Sequence, residues 1–250
     1  MMVAELDIVI PVYNEGPNIL ATLGALVREL KTPARVLICY DFPEDNTLPV
    51  VRDNPQVYAG LPIELVRNRG RGAHSAVLTG FTVSTAPFVL VLPADDDFNA
   101  ARLDSMVAAA RGGCDIVCAS RFMPGGKMEG CPWLKAVLVR SAAFALHRVA
   151  LVPTFDSTSG FRLFSRRVID WIPIESNIGF CYSIELLVKL HRLGWRIGEV
   201  PAVWFERQHG ASQFKVLQWI PAYLRWFFYA FATTFLRRSP NTVVMNPPRA

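Results

Sequence analysis

The stretch from Phe88 to Asn99, which reads Phe-Val-Leu-Val-Leu-Pro-Ala-Asp-Asp-Asp-Phe-Asn, limits what this chain can fold into more than any other. Its five leading apolar residues, closed by Pro93, suit a strand covered on both faces, the pattern found in the middle of a parallel sheet. Asp95, Asp96 and Asp97 follow at once. Adjacent carboxylates repel one another unless a divalent cation or a cationic side chain sits among them. Ligands of open α/β sheets bind beyond the carboxyl ends of the strands, so this cluster stands where a binding crevice is expected. The same residues also read as a solvated acidic turn capping a helix that starts near Asn99.

The flanking sequence supplies the rest of such a sheet. Leu6 to Val12 is an apolar run ending in the turn Asn14-Glu15-Gly16-Pro17-Asn18, and Ile19 to Leu30 has helical apolar spacing. A second strand, Arg35 to Tyr40, also ends in carboxylates, in Asp41-Phe42-Pro43-Glu44-Asp45-Asn46. Pro62 to Arg67 reads as a third strand, and Asn68-Arg69-Gly70-Arg71-Gly72 leads into a helix from Ala73 to about Ser84. Those glycines let backbone amides approach a phosphate. Ser75, at the place of the third glycine, excludes a dinucleotide fingerprint. A helix from Ala100 to Arg111 and a fifth strand from Asp115 to Ala119 complete the alternation. The pattern predicts one mostly parallel α/β layer flanked by helices up to residue 121.

Beyond residue 121 the character changes. Pro124-Gly125-Gly126-Lys127 reads as a flexible loop and Trp133 to Val149 as an apolar helix bearing Lys135, Arg140 and Arg148. Asp156 to Arg162 precedes a short run ending in Arg166-Arg167, Ile184 to Leu193 reads as a helix, and Arg196 to Phe205 alternates like a strand. From Lys215 to Leu236 the chain is apolar and aromatic, with Lys215, Gln218, Ala222, Arg225 and Tyr229 at helical steps on one narrow face. Such a helix suits the membrane interface. Spanning the bilayer would bury Arg225 at a cost of about 2.5–3.5 kcal/mol, and Pro221 would kink the helix. Packing against the domain or a second copy of the chain is the other reading of the same face.

Bulk properties agree. Hydrophobic residues make up 52% of the 250, and the mean hydropathy of +0.27 implies apolar surface that meets something other than water. A net charge of +5 suits phosphates or an anionic membrane, and no basic run or basic-aromatic repeat points to nucleic acid. Five cysteines without a C-x-x-C pair read as free thiols in a reducing compartment. The scattered histidines lack zinc spacing. No basic region followed by an apolar core opens the chain, so a cytosolic location is expected.

Six motifs occur in order: Ile10-Pro11-Val12-Tyr13-Asn14-Glu15 with the acidic end of the second strand, Asn68-Arg69-Gly70-x-Gly72-Ala73, Ala94-Asp95, Ser120-Arg121-Phe122-x-Pro124-Gly125-Gly126, Thr158-Ser159-Gly160-Phe161-Arg162, and Glu206-Arg207-x-x-Gly210-x-Ser212. Together they resemble the family-two inverting glycosyltransferases of the GT-A fold, in particular the dolichol-phosphate mannose synthase-like group that glycosylates polyprenyl phosphates. The resemblance implies a GT-A domain over 1–213, with a nucleotide-sugar half over 1–121 and an acceptor half over 122–213. A membrane-interface helix over 214–238 and a tail over 239–250 would follow. It further implies that Pro11, Tyr13, Glu15, Asp41 and Ala94 hold the nucleotide. Asp95 and Asp97 would ligate Mg2+ or Mn2+, Arg121 and Arg140 would grip the acceptor phosphate, and Arg207 would neutralise the diphosphate. The implied partners are a nucleotide-sugar donor, a lipid-linked phosphate and the cytosolic membrane surface, to which the protein is peripheral, with the last helix available for pairing of two copies.

Three positions depart from the family pattern: Pro93 stands at the first carboxylate of D-x-D, Tyr40 at an acidic strand end, and Gln213 at a lysine after the loop serine. Two alternatives stay open. One is transfer to a hydroxyl, with Asp156 and Glu185 as candidate bases that also read as caps or ion-pair partners. The other is a catalytically weak nucleotide-sugar-binding scaffold at the membrane.

Overall fold

The computed structural model describes residues 4–205 and 216–247, with the side chains of 216–218 set aside. Strands β1 (Leu6–Val12), β2 (Ala34–Tyr40), β3 (Ile63–Arg67) and β4 (Phe88–Val91) alternate with helices α1 (Gly16–Glu29), α2 (Thr47–Asp53) and α3 (Gly72–Val83). Then come α4 (Leu103–Arg111), β5 (Ile116–Ser120), β6 (Lys127–Glu129), α5 (Trp133–Phe144), β7 (Arg162–Ser165), α6 (Arg166–Trp171), α7 (Cys181–Leu193), β8 (Ile197–Pro201), β9 (Val203–Phe205) and α8 (Val216–Phe235). Seven strands form one sheet in the order β3-β2-β1-β4-β7-β5-β8. Both faces are covered, which is why β1 is apolar throughout its middle. Ile8 and Ile10 enter a core shared with α1 and α4, and Val9 enters a second core with α3, α7 and α8.

Sequence and structure differ at several places. The strand β7 runs antiparallel between β4 and β5, so the second half of the chain completes the sheet begun by the first. A seven-residue helix, α2, lacks a recognisable apolar period and contains Pro49. The single strand expected over 196–205 is two strands. Ala202 N donates to Ser120 O while Ala202 O accepts from Lys127 N, so the chain changes partners there, from β5 to β6. Lys127 accordingly belongs to a strand instead of a flexible loop.

The last helix packs on α7. Trp226 is only 1% exposed, Ala230 is buried, and Ala222, Tyr223, Phe227, Tyr229 and Phe231 lean on the same core. Ala222 and Tyr229, expected on the polar stripe, therefore face the domain, whereas Arg225 reaches Glu175 in an ion pair at the surface. No helix among the described residues is long and apolar enough to cross a membrane.

At the opposite end of β1, buried Asp7 pairs with Arg35 at 2.9 Å across the β1–β2 register and accepts from the amides of Thr85 and Ala86. Burial alone would raise its carboxyl, but the Arg35 fork and the two amides outweigh it and hold it below the usual value. A depressed folded value contributes stability above the unfolded value of about 3.9, and that stability is lost as pH falls through the folded value. Urea midpoints should therefore drop between pH 5 and pH 3, and Asp7→Asn should flatten that drop. An equal slope in the variant would refute the assignment.

Candidate active site

From β1 the chain moves to β2 and β3 on one side and then returns to pair β4 on the other. That reversal is the switch point of the sheet, and in open α/β sheets ligands bind beyond the carboxyl ends of the two strands it separates. Pro11, Tyr13 and Glu15 lie at the end of β1, Asp41 follows β2, and Ala94 to Asp97 follow β4. The fold thus gathers the expected nucleotide and metal residues at three neighbouring strand ends.

The turn after β1 is shaped by its own side chains. Asn14 takes a left-handed φ of 58°, a conformation asparagine tolerates. Its amide donates to Asp45 Oδ2 at 3.0 Å, that of Glu15 to Thr47 Oγ1 at 2.9 Å, and that of Gly16 to Asn46 Oδ1 at 2.9 Å. The start of α2 therefore clamps the start of α1. Tyr13 remains half exposed, with its ring edge-on to Phe42 at 5.5 Å. Asp41 accepts from Asn68 Nδ2 at 2.6 Å and from Gly72 N at 2.7 Å, tying the glycine-containing turn to the end of β2. Asn68 Oδ1 in turn accepts from Gly70 N, Ser75 Oγ and Thr79 Oγ1.

The acidic turn divides its labour. Asp96 N donates to Pro93 O at 3.3 Å, and buried Ala94 offers its carbonyl to Thr22 Oγ1 at 2.8 Å, fixing the turn to α1. Asp96 is drawn to Asn99, which donates to it from both its backbone and side-chain nitrogens. Burial pushes the Asp96 carboxyl up to about 6 against the pull of Asn99, with Asp95 adding to the push. Asp95 and Asp97 lie half-buried on either side.

Of the two arginines expected at an acceptor phosphate, Arg121 and Arg140, both lie against one ring: their guanidinium carbons are 5.1 and 5.2 Å from the centroid of Phe122. Arg121 is held in place by Asp156, with Nε to Oδ2 at 2.7 Å and Nη2 to Oδ1 at 2.9 Å, and Nη2 also donates to Thr158. Burial alone would raise the Asp156 carboxyl, and Arg121 holds it low instead. Arg140 is exposed. Gly126 has no room for a side chain, since a Cβ there would stand 2.3 Å from Ser120 O and 2.8 Å from the Arg121 carbonyl carbon. Arg162 is wholly buried and donates to the carbonyls of Ser157 and Ser183, fastening the segment that carries Asp156 to α7. Arg207 and Gln213 lie outside the described residues.

Asp95 and Asp97 are hard oxygen donors, and among the described residues no group of three His, Cys, Asp or Glu could enclose an ion. Two carboxylates with positions left open match the way Mg2+ or Mn2+ is held when phosphate oxygens complete its shell. The residues present fit such an ion.

The family model described as glycosyl transferase family 2 matches residues 7–172. The chain belongs to that family. Among curated relatives of this family 2 chain, a polyprenol monophosphomannose synthase of Mycolicibacterium smegmatis is 27% identical over 85% of the chain and 85% of the relative. A dolichol-phosphate mannosyltransferase of Pyrococcus furiosus is 26% identical over 84% of the chain, which spans only 59% of that protein. Among solved structures, a glucosyl-3-phosphoglycerate synthase from Mycobacterium tuberculosis in complex with Mn2+, UDP-glucose and phosphoglyceric acid superposes with a TM-score of 0.67 at 17% identity, covering 98% of this chain and 90% of that one. The same synthase in complex with Mg2+ and UDP gives a TM-score of 0.65 at 15% identity over 99% and 88% of the two chains. The architecture is the mixed α/β GT-A fold.

Asparagine and threonine carry much of this site that sequence reading passed over. Asn68, Asn99, Thr22 and Thr47 bind carbonyls, amides and carboxylates of distant segments. Their one signal was position, immediately beside the turns that end strands or start helices.

Proposed function

We propose that this protein transfers a sugar, with inversion, from a nucleotide-diphosphate sugar to a polyprenyl-type lipid phosphate at the cytosolic face of a membrane. One observation supports the reading: carboxylates and aromatic groups follow the neighbouring ends of β1, β2 and β4 at the switch point, and Arg121, after β5, and Arg140, on α5, both lie against the Phe122 ring. The two mannosyltransferase relatives support the acceptor class.

In this account residues 1–121 serve the donor and 122–213 the acceptor. Tyr13 and Phe42 offer ring surface to the base, with Pro11, Glu15, Asp41 and Ala94 shaping the pocket. Asp95 and Asp97 hold Mg2+ or Mn2+, which supplies charge neutralisation for the departing diphosphate. Arg207 is assigned to the same diphosphate. Arg140, with Arg121 beside it, orients the acceptor phosphate; guanidinium forks suit phosphate oxygens. A phosphate anion is already nucleophilic, so a single displacement at the anomeric carbon needs alignment and charge balance and no strong base. Transfer to a hydroxyl would need one, and the two candidates are committed, Asp156 to Arg121 and Glu185 to Lys189.

The membrane reading gains an element that sequence alone left unassigned. Helix α5 exposes Trp133 (77%), Leu134 (65%), Val137, Leu138 and Phe144, while α8 directs Leu224, Phe228 and Phe235 outward, with Leu236 exposed just after it. Residues 130–155 and 216–247 contain no Asp or Glu, and they do contain Lys135, Arg140, Arg148, Arg237 and Arg238. Apolar side chains ringed by basic ones match an anionic bilayer surface. Arg140, on α5, would then meet the headgroup of the lipid phosphate.

Labelled uridine and guanosine diphosphate sugars, offered with Mn2+ and polyprenyl phosphate in phosphatidylglycerol vesicles, should deliver label into an organic extract. Loss of two buried side chains at about 1.5–3 kcal/mol each predicts that Trp133→Glu with Leu138→Glu lowers vesicle sedimentation at least about tenfold. Label that stays in water with every polyprenyl phosphate would overturn the acceptor class, and unchanged sedimentation would overturn the role of α5.

A further inference from the structure

Between the two carboxylates assigned to the metal, Asp96 is turned away to a different partner, and that partner is spent completely. Asn99 is 1% exposed. Its Nδ2 donates to Val203 O at 2.8 Å and to Asp96 at 2.8 and 2.9 Å, while its Oδ1 accepts from Val203 N at 2.8 Å. Toward β9 the carboxamide therefore behaves as a peptide group, pairing with Val203 as a neighbouring strand would. Toward the turn it grips the carboxylate in the middle of the acidic triplet. A second contact runs in parallel, with the Phe98 ring edge-on to Phe205 at 4.7 Å. Strand β9 is itself braced by parallel pairing with β6, Val203 opposite Lys127.

Three anchors thus surround Asp95 and Asp97: Ala94 O on Thr22, the Pro93–Asp96 turn, and the Asp96–Asn99–Val203 link. The first two fix the backbone before and at Asp95. The third, with the Phe98–Phe205 contact beside it, fixes the chain after Asp95, on both sides of Asp97. Among the described residues no third group joins these two carboxylates, and two carboxylates bind an ion well only when their spacing is set in advance, because any adjustment must be made out of the binding energy.

We propose that Asn99 is the positioning residue of the divalent-cation site, acting through Asp96 and the Val203 backbone to set the separation of Asp95 and Asp97. The proposal rests on the reading of Asp95 and Asp97 as metal ligands, and it makes Asp96 a tether and not a ligand.

Mn2+ alone, titrated into the full chain and followed by the electron paramagnetic resonance of the free ion, tests it. Asn99→Ala and Asp96→Ala each cut the link and should weaken Mn2+ binding about 10- to 100-fold, the range for residues that orient metal ligands. Asp96→Asn keeps an acceptor for Asn99 and should stay within about threefold of wild type. In transfer assays the Asn99→Ala chain should need correspondingly more Mn2+ for half-maximal rate, yet approach the wild-type rate at saturating Mn2+. A general loss of structure would not produce that separation. Should Asn99→Ala fail to fold, Asp96→Ala carries the test.

Mn2+ affinity within twofold of wild type in both link-cutting variants would overturn the proposal. So would an Asp96→Asn loss as large as that of Asp95→Ala, which would make Asp96 a ligand. Wild type and Asp95→Ala binding Mn2+ equally would instead remove the metal assignment itself, a distinct outcome.

Discussion

Asp95→Ala should abolish Mn2+-dependent turnover of the nucleotide sugar, with a loss of at least about a thousandfold. Several kcal/mol of charge stabilisation come from a divalent ion at a leaving diphosphate, and each 1.36 kcal/mol is a tenfold change in rate. With Pro93 offering no carboxylate and Asp96 committed to Asn99, Asp97 is the one other aspartate of the triplet left to hold the ion. A chain in which one ligand of two is removed retains little affinity to compensate. The measurement is donor hydrolysis and transfer as a function of Mn2+, with thermal unfolding to show that the half-buried Asp95 can be truncated without loss of fold. Residual activity above about a tenth of wild type, still stimulated by Mn2+, would refute the assignment and leave the scaffold reading in its place.

Glu185→Ala should cost about 3–5 kcal/mol of stability, the range for breaking a buried ion pair from one side. Glu185 and Lys189 are both buried and lie 2.7 Å apart at i and i+4 on α7. The carboxylate also accepts from the amides of Glu175 at 2.6 Å and Ser176 at 2.8 Å, so its removal leaves two N–H groups without their acceptor and Lys189 with only Glu175 and Pro173 O for partners. For a domain of this size that corresponds to a fall of roughly 10 °C in Tm, at about 2–4 °C per kcal/mol. Glu185→Gln retains an acceptor and should lose less. Calorimetry decides it, and transfer per folded molecule should stay near wild type, because the residue is structural; a specific collapse of kcat with Tm unchanged would restore its candidacy as a base.

The parallel layer was legible because β1, β2, β4 and β5 are largely apolar runs, which a sheet covered on both faces accommodates. Strand β7 was not legible as part of that sheet. Its four residues, Arg162 to Ser165, carry no period long enough to read, and their place between β4 and β5 is decided by long-range pairing. The carboxylate-bearing strand ends were visible, since Asp in a row after an apolar run has few local explanations. What each carboxylate binds was not. Asp45, Asp96 and Asp156 look in sequence like Asp41 and Asp95, yet Asp45 braces a turn, Asp96 answers Asn99, and Asp156 is matched to Arg121. The aromatic helix α8 was read from its composition as a membrane element, but composition cannot say which face the domain takes first, and the domain takes the Trp226 face.

The position of Trp226 and Ala230 in the same apolar cluster as Val9 and Val89 has a consequence for how this polypeptide is made. Helix α3 covers part of that side early, but the remainder waits for α7 and α8, about a hundred residues downstream of β4, so the nascent chain travels with part of an apolar face open. Synthesis at about 5–20 residues per second makes that interval several seconds long. Shielding by a chaperone, or by the lipid surface itself, during those seconds would determine how much of the product reaches its finished state.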